Sequence, residues 1–272
     1  MKSVEMELVK CDLCGSDKTR PHVEVEGNAF VECPECGFIY LNPRPTASQG
    51  EVCDESVECL TEKGYRESRA WYYKRILSEF EPFRKTGRLL EVGCASGGFL
   101  SAARDAGWET VGVEISAKLA GIGQERGLDI QTCDICDAEL PAGSFDVAVL
   151  NMVIEHVPSP RKVALLIRNV LRPGGALWMH TPNYASTSIK MARDGYNYPG
   201  AHLSCFTPAT LKKLCTDTGF SVKYLKATGF RFPGGRKSWR KPLARFLGFF
   251  ITLLGKGHRL KVMAVKKAGE TI

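Results

Sequence analysis

The chain of 272 residues is 44% hydrophobic, which is enough to bury one full core and a small appendage. Met1–Lys10 alternates charged residues with single apolar ones, unlike a signal peptide, and no apolar run reaches the ~18–20 residues that a bilayer-spanning helix needs. Eleven cysteines, an odd number without a secretory signal, argue against a disulfide framework and for a reducing compartment with metal-bound thiolates. We therefore expect a cytoplasmic protein.

The positive charge is concentrated towards the C-terminal end. The net charge is +7, yet Thr218–Gly269 carries thirteen Lys and Arg residues and no acidic one. The rest of the chain has 24 basic and 30 acidic residues and is mildly acidic. Such a basic lobe predicts an anionic partner, namely phosphate, RNA or a membrane surface, and the alternative is a merely solvated basic face.

Four cysteines near the N-terminus have the spacing of a metal site. Cys11 and Cys14 form one C-x-x-C pair and Cys33 and Cys36 form a second, with eighteen residues between the pairs. Each tight turn can aim two thiolates at one ion, and four thiolates suit tetrahedral Zn²⁺ while leaving no open position for catalysis. We therefore predict that residues 1–45 form a zinc-ribbon-like module stabilised by structural zinc, with uncoordinated thiols as the alternative.

The segments next to these cysteines have simpler patterns. His22–Glu26 and Ala29–Glu32 alternate polar and apolar residues, which predicts a hairpin around Gly27-Asn28. Residues 46–86 are expected to form a linker or lid that ends in a helix, because Glu67–Phe83 places apolar residues at helical spacing.

From residue 87 onward, predicted strands and helices alternate regularly. The predicted strands are Arg88–Val92, Thr110–Glu114, Ile130–Thr132, Phe145–Asn151, Ala176–His180, Ser221–Lys226 and Leu260–Val265. The predicted helices are Gly98–Ala106, Ala117–Arg126, Arg161–Val170 and Pro208–Asp217. This alternation favours a doubly wound α/β fold with a parallel sheet, and the two late strands fit a final hairpin.

The most informative local pattern is the turn between the first predicted strand of this region and its helix. Glu91 lies in the strand, and Gly93 and Gly97 follow in a glycine-rich turn. Glycine lets the backbone approach a ligand, and the helix start supplies unpaired N–H groups. Glu114 ends a second apolar run about twenty residues later, where an acidic side chain can bind a ribose diol. Together these features predict an adenosine-containing cofactor, with an ordinary strand–helix turn as the alternative.

On these residues, segment 87–268 resembles the class I S-adenosylmethionine-dependent methyltransferases. The family's first motif, acid-x-Gly-x-Gly-x-Gly, is matched by Glu91, Gly93 and Gly97, with Ala95 in place of the middle glycine. The resemblance implies a Rossmann-like, seven-stranded, mostly parallel sheet whose last strand is antiparallel. It also implies that Glu91 and the backbone of the turn hold the methionine end and the ribose of S-adenosylmethionine.

The same resemblance assigns the rest of the cofactor site. Glu114 is expected to bind the ribose hydroxyls, and Asp134 with Ile135, after the third strand, matches the family's adenine-binding pair. Asn151, at the end of the fourth strand, is expected to face the methyl donor. For Asp134 and Ile135 the alternative is a turn aspartate followed by a core isoleucine.

Two histidines are candidates for a general base. His156 follows the fourth strand and can move a proton near neutral pH. His202 lies in a segment that resembles the family's border of the acceptor pocket and is the second candidate. The structural alternatives are that Glu155 and His156 order their loop and that His202 packs against the next helix. Ubiquinone-type O-methyltransferases carry an additional acid upstream of a comparable Glu-His pair, and Met152 stands in that neighbourhood here, which argues against a catalytic metal.

The basic lobe also contains an apolar stretch flanked by Arg, Lys and Trp, within residues 239–255. This composition suits a helix in a membrane interface, and it equally suits a helix packed over the sheet. An interfacial helix would place the protein at the inner membrane face, close to a lipid-linked anionic acceptor such as a polyprenyl-phosphate glycan.

The combined motifs resemble those of bacterial methyltransferases of polysaccharide and natural-product pathways. The leading hypothesis is O-methylation of a sugar, glycan or related small metabolite, with S-adenosylmethionine as methyl donor and structural Zn²⁺. The second is an RNA base methyltransferase with a zinc recognition module, against which the acid-rich residues 1–45 argue and which salt-dependent RNA retention would favour. The third is a non-enzymatic, zinc-dependent interaction protein, which a failure to bind S-adenosylmethionine would favour.

Overall fold

The computed structural model describes residues 5–46, 63–186, 202–229 and 255–267. Its first part is built from short strands, which are β1 (Met6–Glu7), β2 (Arg20–Val25), β3 (Asn28–Glu32), β4 (Ile39–Leu41) and β5 (Arg44–Pro45). β2, β3 and β4 pair antiparallel in one sheet, and β1 pairs with β5 in another. One C-x-x-C pair lies before β2 and the other lies between β3 and β4, so the first sheet brings the two pairs to one end.

The predicted hairpin is confirmed, but its turn lies one residue earlier than expected. Glu26 and Gly27, rather than Gly27 and Asn28, connect β2 to β3, and both have positive φ, 51° and 78°. Two-residue hairpin turns favour positive φ at both central positions, because their twist then matches that of the strands. Asn28 pairs with Val25 and therefore belongs to β3.

The rest of the chain follows the alternation expected from the sequence. Helix α1 (Lys63–Ser78) and a 3₁₀ turn (Glu81–Phe83) precede the large sheet. The elements that follow are β6 (Arg88–Val92), α2 (Gly98–Asp105), β7 (Glu109–Glu114), α3 (Ala117–Gln124), β8 (Ile130–Thr132), β9 (Phe145–Asn151), α4 (Pro160–Val170), β10 (Leu171–Pro182), β11 (Ser204–Cys205), α5 (Pro208–Asp217), β12 (Phe220–Thr228) and β13 (Arg259–Lys266). β10 begins at Leu171 rather than Ala176, with an irregular register between these two residues.

Seven strands form the large sheet in the order β12-β13-β10-β9-β6-β7-β8. The strands β6 to β10 are parallel to one another, whereas β13 is antiparallel to both of its neighbours, β10 and β12. The chain builds outward from β6 to β8 and then returns to build outward from β9 to the other edge. This is the doubly wound, seven-stranded α/β fold predicted, with β12 and β13 as its final hairpin.

Apolar runs explain why the central strands lie where they do. Leu89 and Leu90 in β6 and Val147 and Ala148 in β9 are all fully buried. When a parallel sheet is covered on both faces, the sequence of each strand is a continuous apolar run rather than an alternation of apolar and polar residues. The central strands therefore give rigid support to the loops at their carboxyl ends.

The N-terminal strands share structure with the rest of the chain. β11 pairs antiparallel with β4, so a segment far along the sequence supplies the fourth strand of the N-terminal sheet. The buried side chains of Cys11 and Phe38 belong to the same apolar cluster as those of Phe206 and Leu214. The module predicted for residues 1–45 thus packs directly against the body of the protein.

Among the residues that the structure describes, no helix is both long and apolar enough to cross a bilayer. Of the apolar segment 239–255, only Gly255 lies within the described ranges, so the choice between an interfacial and a packed helix stays a prediction. Part of the predicted linker, residues 47–62, also lies outside the described ranges.

Candidate functional site

The candidate site lies at the carboxyl ends of β6, β7, β9 and β10, beside the point where the strand order reverses. β6 and β9 are neighbours in the sheet, and the connections after them lead to opposite edges. In open α/β sheets, ligands usually bind in the crevice at such a point. One group of predicted residues follows β6 and β7, and a second group follows β9 and β10.

The turn after β6 has no room for larger residues at two positions. Gly93 has a φ of 65°, and a Cβ there would lie 2.4 Å from Cγ2 of Val153. Gly97, the N-cap of α2, has a φ of 74°, and a Cβ there would lie 2.2 Å from Cδ1 of Leu128. Ala95 also has a positive φ, 49°, in the region that glycine favours. The turn therefore carries only small side chains close to the start of α2. The first N–H groups of that helix have no partner within the helix.

Glu114, at the end of β7, holds this turn in place. Its Oε2 accepts a hydrogen bond from the backbone N–H of Ala95 (2.8 Å), and its Oε1 accepts one from the N–H of Ser116 (2.9 Å). A carboxylate offers about four acceptor positions, so two remain available for further donors such as ribose hydroxyls. Glu114 can therefore shape the turn and bind a diol at the same time.

Glu91 is a buried carboxyl on the neighbouring strand, β6. Its Oε2 has no hydrogen-bond partner among the described residues. Burial, and then the charge of Glu114, raise the pKa of Glu91 well above its usual range. A cationic donor placed beside this carboxyl would favour its charged form and compensate for its desolvation.

The other predicted cofactor residues lie on adjacent loops and strand ends. Oδ1 of Asp134 accepts a hydrogen bond from the N–H of Cys136 (2.7 Å), a local turn that aspartate often closes. Ile135 is buried in the main apolar cluster. Both contacts are those of the structural alternative, and the adenine role of this pair stays a prediction. Oδ1 of Asn151 lies 2.9 Å from Nδ1 of His180, which orients the amide at the end of β9.

The structure brings the two candidate bases together. The rings of His156 and His202 meet edge to face, with centroids 4.7 Å apart. Their segments are joined because the N–H of Ser204 donates a hydrogen bond to the carbonyl of Glu155 (3.0 Å). One potential ligand atom each of Glu155, His156 and His202 lies within 4.8 Å of the others.

Tyr184, which is not one of the two candidate bases, contacts this group. Its hydroxyl lies 2.5 Å from Nδ1 of His202, and the tyrosine is buried. Burial, and then the neighbouring His156, lower the pKa of His202 to about 3, so its ring is neutral at physiological pH. The only sequence signal for Tyr184 was its place after a strand that ends at the same edge of the sheet.

Glu155 adds a fully buried carboxyl to the group. Its Oε2 accepts a hydrogen bond from Oγ1 of Thr181 (3.0 Å), and its Oε1 has no hydrogen-bond partner within the described ranges. Burial raises the pKa of Glu155 to about 7. A carboxyl that titrates near neutrality can exchange a proton or bind a cation, and such groups are common at functional sites.

The four predicted zinc ligands converge on one point. The Sγ atoms of Cys11 and Cys36 are 3.5 Å apart, those of Cys14 and Cys33 are 3.6 Å apart, and all four lie within 4.8 Å of one another. None of the four forms a disulfide. Zn–S bonds of about 2.3 Å in a tetrahedron place sulfur atoms roughly 3.8 Å apart. The cluster therefore fits a Zn²⁺ ion.

Within the part of the chain that is described, one further group could hold a metal ion. Glu155, His156 and His202 offer one carboxylate and two imidazoles, a donor set used by zinc and other transition metals. From the sequence, Met152 counts against a metal here, because it stands near the place where ubiquinone-type O-methyltransferases carry an additional acid. The structure, however, brings His202 close enough to be a third ligand. The group can therefore act by proton transfer or by binding a metal.

Comparisons with known proteins agree with this fold. A family model described as "Methyltransferase domain" matches residues 65–225. The ubiquinone biosynthesis O-methyltransferase of Albidiferax ferrireducens is 24% identical over 56% of this chain and 66% of its own length. That of Methylococcus capsulatus is 27% identical over 53% of this chain and 67% of its own length, so the chain spans about two thirds of each relative. The crystal structure of a SAM-dependent methyltransferase from Archaeoglobus fulgidus, 20% identical, is similar with a TM-score of 0.57 over 79% of this chain and 99% of that one.

Proposed function

Because the chain belongs to the class I S-adenosylmethionine-dependent methyltransferase family, we propose that it transfers the methyl group of S-adenosylmethionine to an oxygen atom of a small-molecule acceptor. The observation that carries this proposal is the turn after β6, where Gly93 and Gly97 bring the backbone close to two buried carboxyls, Glu91 and Glu114. The choice of oxygen is supported by the two relatives, which are named O-methyltransferases.

The residues around this turn fit the parts of the cofactor. The unpartnered Oε2 of Glu91 suits the ammonium group of the methionine end, and the remaining acceptor positions of Glu114 suit the ribose hydroxyls. Asp134 and Ile135 would hold the adenine, and Asn151 would border the methyl donor. When bound, the cofactor supplies a methyl group already activated on a sulfonium, so the protein has to align the acceptor oxygen and remove its proton.

On the acceptor side, we assign the proton transfer to His156, with His202 as the supporting base. The low pKa of His202 makes it a weak base by itself, and Tyr184 holds its Nδ1. The carboxyl of Glu155, when charged, favours a protonated histidine beside it. A hydroxyl of the acceptor would pass its proton to His156 as its oxygen attacks the methyl group.

The same three side chains support a second way to activate the acceptor. A divalent ion bound to Glu155, His156 and His202 would lower the pKa of a coordinated hydroxyl. Metal analysis of purified protein after dialysis separates the two modes. Zinc at the cysteine cluster alone, with full activity, supports the general base. A second ion that His202→Ala removes supports the metal.

The narrower proposal for the acceptor is a sugar, glycan or related metabolite, and its support is the motif resemblance. The basic lobe supports an anionic, lipid-linked form of such an acceptor at the cytoplasmic face of a membrane. The two relatives are named for ubiquinone biosynthesis, so a panel of nucleotide sugars, polyprenyl-phosphate glycans and polyprenyl phenols is the informative test. Transfer of radiolabelled methyl to the phenols alone would overturn the glycan proposal.

We also propose that the cysteine cluster holds structural zinc within a module of residues 1–45. Its support is the convergence of four thiols, which leaves no open coordination position for catalysis. Residues 46–86 would then link this module to the methyltransferase domain, residues 87–268. One zinc ion per chain, lost when Cys11 is replaced by Ala, is the expected result of elemental analysis.

Calorimetric titration with S-adenosylmethionine and S-adenosylhomocysteine is the first test of the reaction. Glu114→Gln should weaken binding of both by about tenfold or more, because hydrogen bonds to charged groups are worth about 1.5–3 kcal/mol. Glu109→Gln is the matched control, since Glu109 lies exposed at the other end of β7 and pairs with Arg88. Wild-type protein that shows neither binding heat nor thermal stabilisation with either compound would overturn the proposed function.

A further inference from the structure

Two segments carry the residues assigned to the acceptor. They are residues 154–161, after β9, and residues 202–206, around β11, and we call them together the acceptor wall. Glu155 and His156 lie in the first segment and His202 lies in the second. Both segments contact the N-terminal module that holds the cysteine cluster.

Asp12, which lies between the first two cysteines of the cluster, contacts the first segment. Its Oδ1 accepts a hydrogen bond from Oγ of Ser159 (2.6 Å), and its Oδ2 accepts one from the backbone N–H of Arg161 (2.7 Å). Ser159 is the N-cap of α4, the helix that follows the loop of His156. The first cysteine turn therefore holds the start of this helix.

The strand after the second cysteine pair holds the other segment. β4 pairs with β11, and the N–H of Leu41 donates a hydrogen bond to the carbonyl of Leu203 (3.0 Å). The N–H of Ser204 donates to the carbonyl of Glu155 in turn (3.0 Å). A continuous hydrogen-bonded path therefore runs from β4 through β11 to the loop after β9.

Side-chain contacts reinforce both connections. The ring of Phe38 lies 5.4 Å from that of Phe206, and both rings are fully buried. The guanidinium of Arg44 donates a hydrogen bond to the carbonyl of Pro158. Residues that closely follow the second cysteine pair thus hold the acceptor wall on both of its segments.

The cofactor side has its own supports inside the large sheet. The N–H of Gly93 donates to the carbonyl of Val113 (2.8 Å), and the carboxyl of Glu114 accepts from the N–H of Ala95 (2.8 Å). These bonds join the ends of β6 and β7 and their loops. They would persist if the N-terminal module lost its order.

We propose that the metal-loaded cysteine module braces the acceptor wall, and that Asp12 is a positioning residue that couples metal binding to the placement of His156 and His202. A segment too small for its own core depends on the ion that joins Cys11 and Cys14 to the other cysteine pair. Without the ion, Asp12 and β4 lose their fixed positions and the wall loosens, while the cofactor side stays intact. The inference rests on the proposed function, which assigns the wall to the acceptor.

Hydrogen exchange of the full-length protein, followed by mass spectrometry, tests the brace without an acceptor. Asp12→Ala, with zinc retained, should speed exchange in residues 155–161 and 202–206 by about tenfold or more, and exchange in residues 88–100 by less than about twofold. Asp17→Ala removes an exposed carboxyl from the same module and should behave as wild type. Unchanged exchange of both wall segments in Asp12→Ala would overturn the proposal.

A second readout follows the histidines, of which the chain has five. In side-chain NMR spectra, Asp12→Asn should shift the signals of His156 and His202 and leave that of His180 in place. A shift of all three, or of none, would count against a positioning role. This readout also covers the case in which Asp12→Ala fails to fold.

Calorimetry distinguishes a failure of the brace from a failure of the proposed function. A variant that binds S-adenosylmethionine with an affinity within about twofold of wild type, but has a loosened wall, supports the brace. Wild-type protein that never binds S-adenosylmethionine refutes the proposed function. In that case, the hydrogen-exchange rates of the acceptor wall in Asp12→Ala and in wild type still test whether the N-terminal module positions the wall.

Discussion

The carboxyl of Glu91 shows how one buried side chain can lower stability and yet serve binding. Its pKa is raised in the folded protein above the unfolded value of about 4.3, so the folded state binds the proton more tightly. Stability is therefore lost as the pH rises from that value through the folded pKa. The ligand-free protein carries this loss, and a bound cation would offset it.

Glu91→Gln separates these two effects. We expect the ligand-free variant to be at least as stable as wild type at about pH 7, because it has no carboxyl whose charged form is disfavoured by burial. We expect it to bind S-adenosylmethionine about tenfold or more weakly, because a charge-assisted hydrogen bond is lost. Thermal unfolding and calorimetry on the same samples check both. A variant that loses stability and keeps its affinity would contradict the role given to Glu91.

Asp146 is the opposite case, a buried carboxylate with hydrogen-bond and charge partners. It accepts hydrogen bonds from the backbone N–H groups of Lys85, Thr86 and Gly87 at 2.7–2.8 Å and pairs with Arg172. Burial alone would raise the pKa of Asp146, but the bond to Arg172 and the backbone N–H groups outweigh burial and lower it. Asp146 therefore ties the start of β6 to β9 and to β10.

Asp146→Asn should destabilise the protein by about 3 kcal/mol at neutral pH, because it leaves a partly buried Arg172 without its charge partner. A lowered pKa contributes stability that is present above the unfolded pKa of about 3.9 and is lost as the pH falls through the folded pKa. The difference between wild type and variant should thus shrink below about pH 4, which urea unfolding at several pH values measures. Asp105→Asn, at an exposed site, is the control, and an equal loss in both variants would refute the prediction.

At the scale of elements, the turn between β6 and α2 can be tested with a matched pair of glycines. Gly97 and Gly127 both have positive φ, 74° and 71°, but a Cβ would clash with Leu128 only at Gly97, and at Gly127 it meets nothing within 4 Å. Gly127→Ala should cost about 1 kcal/mol for its backbone conformation. Gly97→Ala should cost about 1–3 kcal/mol more for overpacking, and it should weaken cofactor binding. Denaturant unfolding measures the difference, and equal losses would rule out the steric explanation.

The elements that the sequence predicted best are those of the large sheet. The strand Phe145–Asn151 was predicted with the bounds it has, because a buried parallel strand reads as an apolar run with turn signals at its ends. The pairing of Ile39–Leu41 with Ser204–Cys205 was not predicted. Both strands are short, and no local sequence pattern indicates which distant segment pairs with the edge strand of a sheet.

At the scale of the whole molecule, the shared apolar cluster predicts a single unfolding transition. Cys11 and Phe38 of the N-terminal module lie in one cluster with Phe206 and with strands of the large sheet. The zinc-loaded protein should therefore unfold in one calorimetric step, and chelation should lower the Tm of that whole step. Two transitions, of which only one responds to chelation, would show that the module and the large sheet fold independently.

The sequence by itself determined the fold class, because apolar periodicity is a local property that the chain displays wherever it is read. Cysteine spacing and the order of Glu91, Gly93 and Gly97 likewise predicted a metal cluster and a cofactor turn from short segments. Only the tertiary structure decided that His202 meets His156 and that Tyr184 contacts the pair. Such contacts depend on where a loop returns to the edge of the sheet, and that path is set by packing and strand pairing between residues far apart in sequence.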